Sequence, residues 1–250
     1  MPLIGEEDRA TLRERFDSGL ASYVNLIVFT KGTDCRFCKE VAQIAQELSE
    51  IDPRIRSEVL DADENPDRTA QLGITRVPAT AIVGSADYRI RFYGTPAGHE
   101  FSTYVQDIIN VSRGDPSLSQ QTLESIKRVD RDTRVQVFVT PSCPYCPRMV
   151  LMGHQFAMAN ERIHADMVEA LEFPELVGKY GVLTVPRTIV NEKHAVNGLL
   201  PEPLFVEFLL HSVGLLESVS PALAQRLEQT EVEASSHGNY DHDHGEQGQE

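Results

Sequence analysis

The sequence predicts an α/β protein made of two tandem units, each with a mixed central sheet covered by helices. Three observations favour this fold class. A Cys-x-x-Cys motif occurs twice at an offset of 108 residues, and short β-branched runs alternate with helical periods in the same order around each copy. The 250 residues, of which 41% are hydrophobic, are enough for two medium domains.

The internal repeat rests on two landmarks. The first motif spans residues 35–38 and the second spans residues 143–146, and each follows an apolar run and opens a helical pattern. A Val-Pro step lies 43 residues after the first cysteine of each motif, at Pro78 and Pro186. Two landmarks with the same offset indicate a duplicated unit of about that length.

The first unit starts with an expected helix over 6–16. Val41, Ile44, Ala45 and Leu48 share one helical face after the first motif, and glycine at position 73 suits the end of a later short helix. The runs that favour strands are 25–30, 57–60, 80–83 and 89–93. An amphipathic helix over 101–111 closes the unit.

The second unit repeats this order after an expected helix over 119–128. Met149, Val150, Met152 and Phe156 recur at roughly helical spacing after the second motif, and Gly181 ends a short helix. Strands are expected over 134–140, 163–168, 188–190 and 194–196. A helix over 204–213 closes the unit. Strands that must pair in parallel around a helix, followed by a hairpin, predict a mixed sheet in each half.

Composition sets the domain boundaries. The turn-rich segment SRGDPS, residues 112–117, is the expected linker, so the domains are predicted as 1–114 and 115–230. Residues 231–250 are acidic and contain few apolar side chains, which predicts a disordered, histidine-containing tail.

Charge and hydropathy exclude several classes of function. The formal net charge is -15, which argues against nucleic acid or an anionic membrane as a partner. The N-terminal residues lack the pattern of a secretory signal, and no apolar run is long enough to cross a membrane, so a cytoplasmic protein is expected. In a reducing cytoplasm, paired cysteines indicate catalysis or metal binding.

The strand, Cys-x-x-Cys, helix and later Val-Pro arrangement resembles that of thioredoxin-fold dithiol oxidoreductases. The segment Cys143-Pro144-Tyr145-Cys146 is typical of glutaredoxins, and Thr184 opens a segment that matches their usual Thr-Val-Pro. Two such units in one chain resemble the tandem protein disulfide oxidoreductase family, also called glutaredoxin-like. The resemblance covers roughly residues 5–216 and implies two thioredoxin-like domains.

The resemblance also implies a site and its partners. The catalytic residues would be Cys35, Cys38, Cys143 and Cys146. Both prolines would be cis, and the substrate would face Val77, Pro78, Thr184, Val185 and Pro186. The expected function is reduction or exchange of disulfides in client proteins, which could include peroxiredoxins, without a bound organic cofactor or metal. Electrons would come from a thioredoxin-reductase-like flavoprotein or from glutathione.

A cysteine at a helix N-terminus meets unpaired N–H groups and the positive end of the helix dipole, which favour the thiolate. Cys35 and Cys143 are therefore the expected nucleophiles, and the second cysteine of each motif resolves the mixed disulfide. The two sites differ, because Asp34 opposes the Cys35 thiolate while Arg36 and Arg76 favour it. Cys143 has no such opposing charge and is expected to carry most of the activity.

Other interpretations of the same residues stay open at this point. The four cysteines could form one structural zinc site, and a thioredoxin-like unit could serve as a non-catalytic docking module. The tail residues His237, His242 and His244 could bind a metal loosely, although a solvated tail is favoured. His154 and His164 are expected at the surface or half-buried on helices.

Overall fold

The computed structural model describes residues 2–32 and 35–238. The first half contains four helices and four strands within these residues. The helices are α1 Glu6–Gly19, α2 Cys38–Ile51, α3 Pro66–Gln71 and α4 Glu100–Arg113. The strands are β1 Val24–Thr30, β2 Ile55–Asp61, β3 Ala79–Val83 and β4 Ile90–Tyr93.

The second half repeats this order and adds a helix at its end. The helices are α5 Gln120–Ile126, α6 Cys146–Ala159, α7 Pro174–Tyr180, α8 Glu202–Ser212 and α9 Pro221–Gly238. The strands are β5 Thr133–Val139, β6 Ile163–Glu169, β7 Arg187–Val190 and β8 His194–Asn197. Every strand expected from the sequence is present, with its bounds shifted by one or two residues. The predicted α/β class is confirmed.

The two halves share one continuous sheet with the strand order β2-β1-β3-β4-β6-β5-β7-β8. Strands β3 and β7 run antiparallel to their neighbours, and the other strands run in one common direction. The halves join through parallel pairing of β4 with β6, from Ile90 opposite Ala165 to Tyr93 opposite Val168. The carboxyl ends of β1 and β5 therefore lie at the same edge of one sheet.

Alternating side chains of the central strands build a core on both faces of this sheet. In β1, Leu26 and Val28 belong to one buried cluster, and Ile27 and Phe29 belong to the other. Strands buried on both faces read as continuous apolar runs, which is why the sequence identified them. Helix α6 contributes Met149 and other buried residues to the first cluster.

Polar side chains also pack at the seam between the halves. Arg134 Nε lies 2.6 Å from Asp166 Oδ2. His154 on α6 and Asp107 on α4 are both buried, and Nδ1 of the histidine lies 2.6 Å from Oδ2 of the aspartate. The expectation of an exposed or half-buried His154 is wrong, because this pair holds it between the halves. His164 is half-buried but lies on strand β6 rather than on a helix.

Helix α9 corrects the predicted boundary of the tail. The expected disordered segment 231–250 is helical as far as Gly238, and its remaining residues lie outside the described part of the chain. The helix is held against the edge strand β8, where the N–H of Asn197 donates to Thr230 Oγ1 at 3.0 Å and Asn197 Nδ2 donates to Glu233 Oε2 at 2.5 Å. Among the described helices, none has the length and apolar character needed to cross a bilayer.

Candidate functional site

Both Cys-x-x-Cys motifs lie at the sheet edge where β1 and β5 end. Cys35 and Cys38 are disulfide-bonded with their Cα atoms 5.4 Å apart, and Cys143 and Cys146 are disulfide-bonded with their Cα atoms 5.6 Å apart. Each pair is thus held at the distance that a reversible dithiol needs. The structure pairs the cysteines within each motif, as two separate dithiols require.

The second cysteine of each motif is the first residue of its helix. Helix α2 starts at Cys38 and α6 starts at Cys146, so Cys35 and Cys143 lie in the turn just before. Pro144 also precedes the helix, and Pro147 occupies the first helical turn instead. The helix-dipole argument survives this shift, since the unpaired N–H groups of the first turn still face the motif.

The cysteines differ in exposure. Cys146 is fully buried and Cys38 is buried, whereas Cys143 is 8% exposed and Cys35 is half-buried. In both pairs the first cysteine is the more accessible one, as an attacking nucleophile must be. Cys35 is more open to solvent than Cys143, a difference that the sequence did not indicate.

The two Val-Pro steps lie beside the cysteines, directly before β3 and β7. Both Val77-Pro78 and Val185-Pro186 are cis peptide bonds, as expected. The carbonyl oxygen of Val185 lies 3.8 Å from Sγ of Cys143. Thr184 is exposed, whereas both valines are half-buried and both prolines are buried. The segments expected to face the substrate therefore lie at the cysteines, with part of their surface open.

The two dithiols are separate sites on one edge. Four strand spacings lie between β1 and β5, a separation of about 19 Å along the sheet. The hypothesis of a single zinc site built from all four cysteines is therefore wrong, because one ion cannot reach both pairs. Within residues 2–32 and 35–238, no group of three or more His, Cys, Asp or Glu side chains is arranged to hold a metal.

Buried carboxyl groups line the edge between the two sites. Oε2 of Glu169 accepts the N–H of Glu172, and Oε1 of Glu172 accepts the N–H of Thr95 from the first half. Burial raises the pKa of Glu169 and of Glu172, and the second group also feels the like charge of Glu40 on α2. The sequence analysis did not identify this cluster.

A second contact joins the first half to the CPYC loop. The N–H of His99 donates to the carbonyl oxygen of Pro141 at 3.0 Å, and Gly98 packs against the same carbonyl. The next residue, Glu100, is 1% exposed, and burial raises its pKa to about 7. Glu100 occupies the apolar face of α4 together with Tyr104. A carboxylate on the buried face of a helix was the signal in the sequence that could have found it.

The charges expected around Cys35 are only partly visible. Asp34 lies outside the described residues, as do His242 and His244. The guanidinium of Arg36 lies 5.0 Å from the ring centroid of Phe37, and that of Arg76 lies 5.4 Å from the ring centroid of Tyr93. Both arginines are therefore in contact with aromatic faces.

Comparison with known proteins agrees with this geometry. The family model described as "Thioredoxin domain" matches residues 133–211. The structure of a protein disulfide oxidoreductase from Aeropyrum pernix is similar with a TM-score of 0.79 and 27% identity, covering 86% of this chain and 96% of that one. The chain has the fold of the thioredoxin-like disulfide oxidoreductases. The resemblance found in the sequence is confirmed, and with it the dithiol chemistry of the two motifs.

Further relatives of this tandem thioredoxin-like chain carry other names. An N-terminal domain of the alkylhydroperoxide reductase AhpF from Enterococcus faecalis is similar with a TM-score of 0.76 and 25% identity, covering 82% of this chain and 99% of that one. The alkyl hydroperoxide reductase AhpF-type protein of Staphylococcus aureus is 24% identical over 160 residues, which is 64% of this chain and 29% of that protein. The "NADH dehydrogenase" of Ferdinandcohnia aciditolerans is 24% identical over 76% of this chain and 33% of its own length. The chain spans about a third of the length of these two curated relatives.

Proposed function

We propose that this protein reduces or exchanges disulfides in client proteins through its two dithiols. The observation that carries the proposal is the pairing of each Cys-x-x-Cys motif with a cis Val-Pro step at one sheet edge. The segments with Val77 and Pro78, and with Thr184, Val185 and Pro186, would hold the extended client chain. Neither an organic cofactor nor a metal is needed for this exchange.

The reaction is two successive thiol-disulfide exchanges. The thiolate of Cys143 attacks a client disulfide, so that one client sulfur leaves as a thiolate and takes up a proton, while the other stays in a mixed disulfide. The thiolate of Cys146 then attacks Cys143, which releases the second client thiol. Two electrons have moved to the client, and the motif is left as a disulfide. Cys35 and Cys38 would act in the same way.

The buried resolving cysteine needs a proton acceptor. Cys146 is fully buried, and a thiol in an apolar environment releases its proton reluctantly. Glu100 is buried one residue after His99, which contacts the loop that carries Cys143, and its pKa of about 7 suits proton exchange near neutral pH. We assign Glu100 the role of proton acceptor for this step.

The two dithiols serve clients independently. A separation of about 19 Å between β1 and β5 prevents direct attack of one pair on the other, because exchange requires the sulfur atoms to touch. Electrons pass between the pairs only through a separate dithiol carrier. Cys143 and Cys146 are proposed as the principal reductase pair.

The partners follow from the names of the relatives. Similarity to the alkyl hydroperoxide reductase proteins supports a place in a reductase-linked pathway, with a peroxiredoxin among the clients and a thioredoxin-reductase-like flavoprotein as the donor. Glutathione is the alternative donor, and the cytoplasm is the proposed compartment. These partners go beyond what the shared fold establishes.

Reduction of insulin tests the proposal directly. The protein should accelerate insulin precipitation by dithiothreitol, and replacing all four cysteines with serine should abolish the effect. Rates with thioredoxin reductase plus NADPH, and with glutathione, identify the donor. A non-catalytic docking module would give the uncatalysed rate in every arm. Full activity after dialysis against a chelator is expected, since no metal takes part.

A further inference from the structure

A cavity of about 290 Å³ lies between α8, α9 and the edge strand β8, away from both dithiols. It exists because α9 runs along β8 and leaves space beside Phe208 and Leu227. The polar side chains in its lining are mostly basic. They are Arg187, Lys193, His194, His211, Thr230 and Glu231.

Arg187 is the most constrained of these groups. The residue is 7% exposed, its Nη1 donates to Asn197 Oδ1 at 2.8 Å, and its Nε has no hydrogen-bond partner among the described residues. Burial lowers the pKa of Arg187, and the negative charge of Glu233, which Asn197 Nδ2 contacts, offsets part of that effect. A buried guanidinium with an unused N–H donor is costly, so it favours the arrival of an anion.

The neighbouring groups add to the positive charge. Lys193 is exposed at the rim of the cavity. The rings of His194 and His211 have their centroids 6.4 Å apart, and Nδ1 of His211 lies 3.0 Å from the carbonyl oxygen of Leu216, so that nitrogen is a donor. Within the described part of the chain, Glu231 is the one carboxylate in the lining. Two cations and two imidazoles thus line the cavity with one acid, in a protein whose net charge is -15.

The shape and the apolar part of the lining narrow the choice of anion. A volume of about 290 Å³ holds only a small molecule. Ala195, Phe208, Leu227 and Ala234 offer apolar surface, which an inorganic ion would not use. We propose that this cavity binds a small organic carboxylate, with its charged end on Arg187 and its short hydrocarbon part against Phe208 and Leu227. Guanidinium groups suit carboxylates because they offer several N–H donors in one plane.

The site would sit close to the chemistry without taking part in it. Arg187 directly follows Pro186, in the segment where the carbonyl of Val185 lies 3.8 Å from Sγ of Cys143. The bound carboxylate would therefore touch the strand that presents the CPYC motif, on the side of α9.

Titration of the full-length protein with butyrate tests the assignment, by calorimetry and by NMR of the imidazoles. Saturable binding at millimolar concentration or tighter is expected, with shifts of the His194 and His211 signals. Arg187→Gln should weaken binding by at least about tenfold, the effect of losing a charge-assisted hydrogen bond. Lys193→Gln, at an exposed position where folding is not at risk, should weaken it about threefold. Lys179→Gln is the matched control, because Lys179 is exposed on α7 outside the cavity and should leave binding unchanged.

Two comparison ligands and a truncation complete the test. Butyramide, which has the same shape without the charge, should not bind, and binding equal to that of butyrate would overturn the proposal. Inorganic phosphate should bind more weakly, and tighter binding would show a plain oxyanion site instead. Deleting residues 239–250 should leave butyrate affinity unchanged. Binding seen only after this deletion would mean that carboxylates of the chain's own terminus occupy the cavity, and the proposal would fail.

Discussion

The backbone N–H of His99 in the first half donates to the carbonyl oxygen of Pro141 in the second half at 3.0 Å. This hydrogen bond ties the loop before α4 to the loop that carries the CPYC motif. The preceding residue makes the approach possible, because Gly98 has a φ of +59° and presents only hydrogen atoms to the same carbonyl.

Gly98→Ala is expected to destabilise the protein and to disturb the second dithiol. The new Cβ would overlap the Pro141 carbonyl, in addition to the cost of a positive φ. Gly214→Ala is the matched control, since Gly214 has a φ of +76° and no atom within 4 Å of its would-be Cβ. Urea unfolding should show a loss of about 1 kcal/mol for the control and about 2 kcal/mol more for Gly98→Ala. Equal losses would mean that the close approach to Pro141 is unimportant.

The buried carboxyl of Glu100 should make stability depend on pH. Burial raises its pKa from 4.5 to about 7, so the folded chain holds this proton more tightly than the unfolded chain does. Its contribution is complete below pH 4.5, falls as the pH rises to about 7 and amounts to a loss of about 3 kcal/mol above that.

Glu100→Gln should remove this loss. Urea unfolding at pH 5 and at pH 8 measures it, and the variant should lose less stability between the two values than the wild type does. Glu58→Gln, at an exposed position on β2, should behave like the wild type. If the wild type and Glu100→Gln lose the same stability, the titration belongs to other groups such as Glu169 and Glu172.

The sequence was sufficient for most of the fold, for reasons that particular residues show. Strands such as β1 are buried on both faces, so Leu26 and Phe29 leave a continuous apolar run. The two cis prolines were predictable because Pro78 and Pro186 repeat at the offset of the cysteines.

The remaining features depend on contacts between distant segments. The pairing of β4 with β6 has no local signal, because each half alone ends in a strand edge that any strand could cover. The position of Glu100 beside the CPYC loop follows from that pairing. Helix α9 was missed because few of its side chains are apolar, and its buried contacts to β8 come from Leu223 and Thr230.

Serine variants should rank the two dithiols. Cys143→Ser is expected to remove most insulin reductase activity, while Cys35→Ser keeps a substantial part, because Asp34 opposes the Cys35 thiolate. The greater exposure of Cys35 acts in the opposite direction, so the experiment weighs accessibility against thiolate stability. Initial rates at equal protein concentration decide it. A larger loss in Cys35→Ser would reverse the ranking and leave the dithiol mechanism intact.

Helix α9 should stabilise the second half by covering the edge of the sheet. Leu223 is fully buried where α9 packs, and Thr230 Oγ1 accepts the N–H of Asn197 on the edge strand β8. Leu223→Ala should lower the free energy of unfolding by about 3 kcal/mol, as expected for a buried leucine. Val232→Ala, on the same helix but 67% exposed, should change it by less than about 0.5 kcal/mol.

Two truncations separate α9 from the residues after it. Deleting residues 239–250 should leave the unfolding midpoint unchanged, whereas deleting 221–250 exposes β8 and should cause both destabilisation and aggregation. Denaturant unfolding and light scattering of the two proteins measure these effects. If the chain without α9 were as stable and as monodisperse as the full chain, the helix would be an accessory rather than part of the core, and the cavity beside it would lose one of its walls without any structural cost.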